Sequence, residues 1–245
     1  MQLTVLGCYG PYPPAGGACS GYLLEADGTA ILLDCGNGVL SRLQQYLPFW
    51  QLDAVILSHL HADHCADLAV MRYGLEMAYN RGLRSEPLPL YAPAEPAAEF
   101  ERLPYKNAYN VEKIVEGGKL SLGPFSASFR FGVHAVPSVG IRIDTAGTSL
   151  VYSGDTEYHS GLEELARDAR LFLCEANYLE ADLKDGLRNH LSAGQAAQAA
   201  DAAGVKELVL THHHPESDPA AVLAEAASYF PSAGLAVEGK TYNIA

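Results

Sequence analysis

The densest chemistry in this chain lies in the segment SHLHADHC, residues 58–65, where three histidines and one aspartate fall within six positions directly behind the apolar run LDAVIL. Imidazoles with a carboxylate bind borderline divalent ions: zinc above all, with manganese or iron where the donor set is richer in oxygen. On an extended strand, residues two apart point the same way, so His59 and His61 can converge on one ion. A helical turn starting at Ala62 would swing Asp63 and His64 toward a second position. Surface loops do collect histidines by chance, but a cluster set at the mouth of a buried strand argues for a site.

One local cluster cannot complete two sites, because zinc normally takes three protein ligands or more. The other histidines are His134, His159, His190, His212, His213 and His214. His134 follows the strand pattern SFRFGV, Asp155 follows SLVYSG, and His212 follows ELVLT. Each stands at a strand end, as His59 does. A lone histidine there could equally be a core residue with a backbone partner. Joint placement weakens that reading.

Apolar alternation and turn residues supply the elements that must hold these groups. Strands are predicted over 2–7, 22–26, 29–34 and 52–58, with a turn at Asp27-Gly28 and an amphipathic helix from Gly38 to Tyr46. A helix opening at ADH is expected to run to about Asn80, carried by Leu68, Met71, Leu75 and Met77. LPLYAP reads as a strand and AEPAAEFERL as a helix within a Pro-rich surface segment. Residues 119–135 and 139–155 read as hairpins turning at Gly123-Pro124 and Ala146-Gly147. Then follow the helix GLEELARDA, the strand RLFLCEA and a polar loop through His190. Ser192 and Gln195 form a capping box for a helix to Ala203. Strand KELVLTH, a helix capped by Asp218-Pro219, and a last strand LAVE close the series.

Both halves share a plan. ILLDCG leads through a helix to LDAVILSHLH, and LVYSGDT leads through a helix to DARLFLCEAN. An α/β fold of two similar halves, sheet packed on sheet between helical layers, is therefore expected, as a single domain over 1–245. Its ligands would meet at one edge, where strand ends leave side chains on loops.

The chain has 245 residues, 49% of them apolar and 18% charged, enough for a large core and against pervasive disorder. No segment has the length and apolarity of a membrane span, and MQLTVLGCYG has no basic leader, which points to a cytoplasmic protein. Five scattered cysteines without a CxxC pair disfavour a disulfide framework or a thiolate zinc knot. The net charge of -13, with no basic run, argues against a broad surface for long nucleic acid but not against a small anion beside bound metal. Arg81, Arg84, Arg102, Lys106, Lys113 and Lys119 in the 79–119 stretch could form an anion-attracting rim or simply a solvated face. GCYGPYPPAGG carries too many prolines for a helix-opening phosphate loop, so no nicotinamide or flavin chemistry is suggested.

HLHADH behind LLDCG, followed in order by GVHAVPSVGIRI, YSGDT and VLTH, resembles the metallo-β-lactamase-fold hydrolases, and within them the ribonuclease Z-like branch. The resemblance runs from the first strand to His212. It implies a four-layer αββα sandwich with two metal ions, zinc first, at one edge. Matched motif by motif, it implies His59, His61 and His134 for one ion, Asp63, His64 and His212 for the other, and Asp155 bridging. Asp34 would brace the motif through hydrogen bonds. A metal-bridged hydroxide would attack next to Asp63 and Asp155. His190 matches a histidine associated in that branch with phosphodiester cleavage, and Glu175 would support it as a carboxylate-imidazole pair. His213 and His214 are expected at the mouth or in solvent, and His159 close behind the ligands.

The departure from that branch concerns substrate. In the transfer-RNA-processing enzymes a long RNA-gripping arm lies between the third-motif histidine and the bridging aspartate. Here His134 and Asp155 are 21 positions apart, room for one hairpin. The expected activity is hydrolysis of a small phosphodiester, such as a cyclic nucleotide or short oligonucleotide, with long RNA a weaker candidate partner and a homodimer possible. Transfer RNA 3′ processing, acyl hydrolysis of the lactonase, thioesterase or β-lactamase type, and a non-catalytic metal protein are the alternatives.

Overall fold

A computed structural model describes residues 1–184 and 186–245. Short apolar runs cut by Gly, Pro and Asp turns pair into two seven-stranded sheets. The first contains β1 (Gln2–Gly7), β2 (Gly21–Ala26), β3 (Thr29–Leu33), β4 (Ala54–Ile56), β5 (Leu88–Pro93) and β6 (Tyr109–Ile114). The second contains β7 (Lys119–Leu122), β8 (Phe125–Phe131), β9 (Val139–Thr145), β10 (Thr148–Tyr152), β11 (Leu171–Glu175), β12 (Leu208–Thr211) and β13 (Gly234–Leu235). β14 (Thr241–Asn243) returns to the outer side of β1.

The pairing pattern is the same in both sheets. From β14 to β3 the neighbours are antiparallel, and from β3 to β6 they are parallel. From β7 to β10 they are antiparallel, and from β10 to β13 parallel. Asp34 follows β3 as Asp155 follows β10, so the repeated strand-helix-strand plan is a true structural repeat. The facing sides meet in one core that includes Leu3, Ile31 and Leu33 from the first sheet and Phe125, Ile141 and Leu173 from the second. Parallel strands β4 and β11 are buried throughout because helices cover their other face, and only Glu175 at the end of β11 is charged.

Those helices are α1 (Val39–Leu43) and α3 (Leu68–Asn80) over the first sheet, and α5 (Ser160–Ala166), α7 (Ala193–Ala203) and α8 (Pro219–Ala226) over the second. Short helices α2 (Ala62–Cys65), α4 (Ala97–Phe100) and α6 (Glu180–Lys184) lie in connections. The result is the expected αββα sandwich. Among the described residues, no helix is long and apolar enough to cross a membrane.

Several boundaries differ from expectation, each for a physical reason. The helix expected from ADH to Asn80 is two helices, because the His64 carbonyl accepts from Cys35 N at 2.7 Å and Asp67 N donates to the Cys35 carbonyl at 3.1 Å. Backbone groups diverted to another segment cannot continue the helical ladder. α3 turns Leu68, Met71, Leu75 and Ala78 inward, while Met77 is 51% exposed. The polar loop expected up to His190 contains α6, and its Asp185 lies outside the described residues. β6 and β14 were not anticipated. Both are edge strands whose exposed charged or polar positions blur the apolar alternation.

The Ser192 cap forms as expected: Gln195 N donates to its Oγ at 3.0 Å and Ser192 N to Gln195 Oε1 at 3.2 Å. It starts α7 two residues beyond His190. Ser192→Ala should cost about 1 kcal/mol of stability, read as a lower urea midpoint at unchanged slope. An unchanged midpoint would show that Ala-rich packing alone sets the start of α7.

Candidate metal centre

Every ligand candidate named above leaves the end of a strand at one edge of the sandwich. β4 delivers His59 and His61, the turn into α2 delivers Asp63 and His64, and β10 and β12 deliver Asp155 and His212. His134 lies in the β8–β9 connection. Two overlapping clusters result, His59, His61, His134 and Asp155 in one, Asp63, His64, Asp155 and His212 in the other, with the ligating atoms of each within 4.8 Å of one another. Asp155 belongs to both.

Its Oδ2 is the geometric centre. His64 Nε2 and His212 Nε2 lie 3.3 Å from it, His59 Nε2 3.6 Å, His190 Nδ1 3.8 Å and His134 Nε2 4.0 Å. The other oxygen, Oδ1, is buried without a hydrogen-bond partner, as is His64 Nε2 among the described side chains. His61 Nδ1 sits 3.0 Å from His59 Nε2 and 3.1 Å from His134 Nε2. So many buried nitrogens and oxygens converging with so few protons to share would be costly alone. Cations among them satisfy the lone pairs, so the donor set fits a binuclear centre.

Asp34 occupies the predicted bracing position. It is fully buried, and its Oδ2 accepts from Ser58 Oγ, Tyr152 Oη and His64 Nδ1, each at 2.7 Å, while Oδ1 accepts from Ser58 N at 2.7 Å. With Nδ1 committed to Asp34, Nε2 of His64 is aimed at the centre. His134 is fixed in the same way, its Nδ1 donating to the Asn189 carbonyl at 2.8 Å. Asn177 Nδ2 ties together the Gly10 and His212 carbonyls, both at 2.9 Å, and Gly10 must be glycine because a Cβ there would lie 1.9 Å from His212 Nε2. Ser58, Tyr152, Asn177 and Gly10 were missed as positioning residues. Tyr152 and Asn177 stand in the motifs YSGDT and CEAN, but only the folded chain shows what their polar ends reach.

The local electrostatics separate the histidines. Burial, helped by the neighbouring His64 ring, pushes His59 well below the ordinary imidazole range, and burial beside His134 lowers His61, so both stay neutral donors. Burial opposes charge on His64, but Asp155, Asp34 and Asp63 outweigh it and hold the ring protonated in metal-free protein. Burial likewise opposes ionisation of Asp155 and Asp63, yet imidazoles hold both below the usual carboxylate range, led for Asp155 by His212 and for Asp63 by His64. A metal ion entering the second cluster would take the place of the His64 proton.

His190 and Glu175 meet as expected. His190 Nδ1 lies 3.1 and 3.2 Å from the two Glu175 oxygens. The carboxylate is itself fixed by Thr156 N at 2.7 Å and Leu191 N at 3.3 Å. Burial alone would lower the His190 pKa, but Glu175 and then Asp155 outweigh it and push it up to about 9.

The remaining histidines lie outside these clusters. His213, expected at the mouth, is half-buried with its ring against the Ala236 carbonyl, and burial lowers its pKa to about 4. His214 packs edge-on to Tyr12. His159 precedes α5 beside Arg130, apart from both clusters. Of the basic residues between 79 and 119, Arg84 donates to the Trp50 and Leu52 carbonyls and Lys119 starts β7, so they do not form one rim. Arg102 does border a groove beside His61.

A sandwich of this topology with two adjoining clusters of His and Asp at its edge defines a metal-dependent hydrolase of metallo-β-lactamase fold. The family description "Beta-lactamase superfamily domain" matches residues 29–213, and the chain belongs to that superfamily. It is similar to the "Probable metallo-hydrolase YhfI" of Bacillus subtilis, 35% identical over 212 residues covering 86% of each chain. The crystal structure of YhfI superposes with a TM-score of 0.94 at 32% identity over 98% of both chains. A "Ribonuclease Z" of Mycolicibacterium gilvum is 32% identical over 89% of this chain and 86% of its own. The short form of human tRNase Z covers the whole of both chains with a TM-score of 0.80, and at 20% identity it shows the fold alone.

Two outcomes follow for this centre. Asp34→Asn should weaken metal binding about 10- to 100-fold by freeing the His64 ring, measured by competition with a chromophoric chelator; unchanged affinity would mean Ser58 and Tyr152 suffice. In metal-free protein, NMR titration should place His190 near 9, and Glu175→Gln should drop it toward the ordinary range. Because the folded value is raised, the stability this pair contributes is fully present below about pH 6.5 and is lost as pH rises through about 9. A midpoint unmoved by Glu175→Gln would refute the pairing.

Proposed function

We propose that the protein is a phosphodiesterase with two divalent ions, zinc first given the nitrogen-rich donors. In this reading His59, His61 and His134 hold one ion, Asp63, His64 and His212 the other, and Asp155 bridges. When bound, such a pair supplies a deprotonated water and positive charge for the attacking and leaving oxygens. Asp63, with its Oδ2 3.2 Å from His212 Nε2 at the cluster's margin, would orient the attacking water. Five unpaired thiols suit a reducing cytoplasmic setting.

The observation that carries the reading is the Glu175–His190 pair standing 3.8 Å from Asp155. Glu175 and Asp155 hold His190 protonated, so the ring can give a proton to a departing alkoxide or hold a nonbridging phosphate oxygen. A thiolate leaving from a thioester needs that proton far less than an alkoxide does.

For substrate we favour a small phosphodiester, a cyclic nucleotide or short oligonucleotide. In support, residues between His134 and Asp155 are taken up by the β9–β10 hairpin, locked between β8 and β11, and the chain is strongly acidic. The second reading is transfer RNA 3′ processing. It has the more direct support from named relatives, since a curated ribonuclease Z matches most of the chain. Salt-dependent gel shift of a precursor transfer RNA, followed by cleavage, would favour it over the small substrate.

His190→Gln should lower kcat on a phosphodiester about 10²- to 10⁴-fold with two metal ions still bound per chain, and should barely affect any thioester turnover. An equal fall on both substrate types would sink the assignment of His190, and turnover of thioesters or lactones alone would sink the phosphodiesterase.

A further inference from the structure

Beside His61 the surface opens into a groove of about 700 Å³ between α2, the start of α3 and the segment around α4. That volume lies within the usual ~300–1,000 Å³ of small-ligand sites. Leu60, Leu103, Tyr109 and Val136 give it apolar walls, and Arg72, Glu99 and Arg102 are the charged groups on them. His61 belongs both to this lining and to the first metal cluster, so the groove opens directly beside the metal centre.

Among the described residues neither arginine has an ion-pair partner. The arginine ion pairs among the described residues are those of Arg42, Arg130, Arg142 and Arg170. Arg72 packs over the rings of Tyr105 and Tyr73, its guanidinium carbon 5.0 and 5.2 Å from their centroids, and its Nε is buried without a hydrogen-bond partner. The guanidinium's Nη2 donates to Tyr73 Oη over a long 3.4 Å, which leaves outer N–H groups for an occupant offering acceptors. Glu99 in the same wall disfavours a second anion and offers an acceptor for an amino group. A flat ring with apolar faces and mixed donor and acceptor edges meets all of these conditions.

We infer that this groove is the subsite for the nucleobase of a nucleotide phosphodiester, with Arg72 and Arg102 as its specificity-determining donors. Guanidinium groups match the acceptor edges of bases, and the rings of bases bury well against apolar side chains. The inference rests on the phosphodiesterase reading and adds to it the chemistry of the non-reacting arm.

The test uses two esters with one leaving group, adenosine 5′-(4-nitrophenyl phosphate) and methyl 4-nitrophenyl phosphate, and metal-loaded full-length protein. The unsubstituted protein should prefer the nucleoside ester at least a hundredfold in kcat/KM, mainly through KM. Ala69→Trp, on an exposed position of the groove wall, should cut that ratio at least tenfold, and Arg72→Met and Arg102→Met at least threefold each. Ala69→Leu, with metal content and thermal unfolding measured alongside, guards against a folding defect. A ratio near one in the unsubstituted protein, or one that no variant moves, overturns the subsite. If neither ester is cleaved, the phosphodiesterase reading fails by itself, and calorimetric binding of adenosine 5′-monophosphate to metal-free protein decides the groove. Binding weakened tenfold by Ala69→Trp upholds it; no binding, or a groove whose filling blocks only long-chain acyl thioesters, overturns it.

Discussion

One buried carboxylate surrounded by five imidazoles is the constraint to which the rest of this molecule answers. Asp155 is 2% exposed, and each imidazole approaches its Oδ2 within 4.0 Å. Without cations, such a group is stable only as an ion held by protonated rings. With cations, it is the shared anion of two sites. Either state requires polar groups to be buried at a sheet edge with every ring held at a fixed angle, which explains why so much of the surrounding backbone is recruited to hold side chains still.

That holding works through second partners. Asp34 gathers Ser58, Tyr152 and His64, and the Asn189 carbonyl orients His134. The Cys35 backbone breaks what would have been one long helix into α2 and α3, and Gly36 lets Asp63 come close, since a Cβ at Gly36 would lie 2.0 Å from the Asp63 carbonyl oxygen. The helix break looks like a defect in periodicity, yet it is what places Asp63 and His64 beside Asp155 instead of on a continuous helical face.

The ligand set was legible in the sequence because its chemistry is local in HLHADH and because His134, Asp155 and His212 each follow a clear apolar strand. The doubled plan was legible for the same reason, and the pairing of both sheets repeats it strand for strand. What could not be read depended on long-range partners. The end of α2 is set by Cys35, far behind it in the chain. Ala78 continues the i, i+3, i+7 stripe of Leu68, Met71 and Leu75, and Met77 falls beside it. Edge strands β6 and β14 are fixed by neighbours more than by their own alternation, and that Arg72 and Arg102 stand without an ion-pair partner among the described residues shows only in the folded chain.

The repeat of three antiparallel and three parallel pairings has a mechanical consequence. The first sheet contributes His59, His61, Asp63 and His64, while His134, Asp155 and His212 come from the second, so each cluster straddles the seam between two copies of one topology. A slide of one sheet against the other by a single residue, about 3.4 Å, would open the gaps from Asp155 to His59 and His64, which come from the other sheet. Ions held there would act as rivets through the sandwich, and their binding energy would become resistance to shear between the halves. The centre would thus add to the packed core a second, polar measure of how the two layers align.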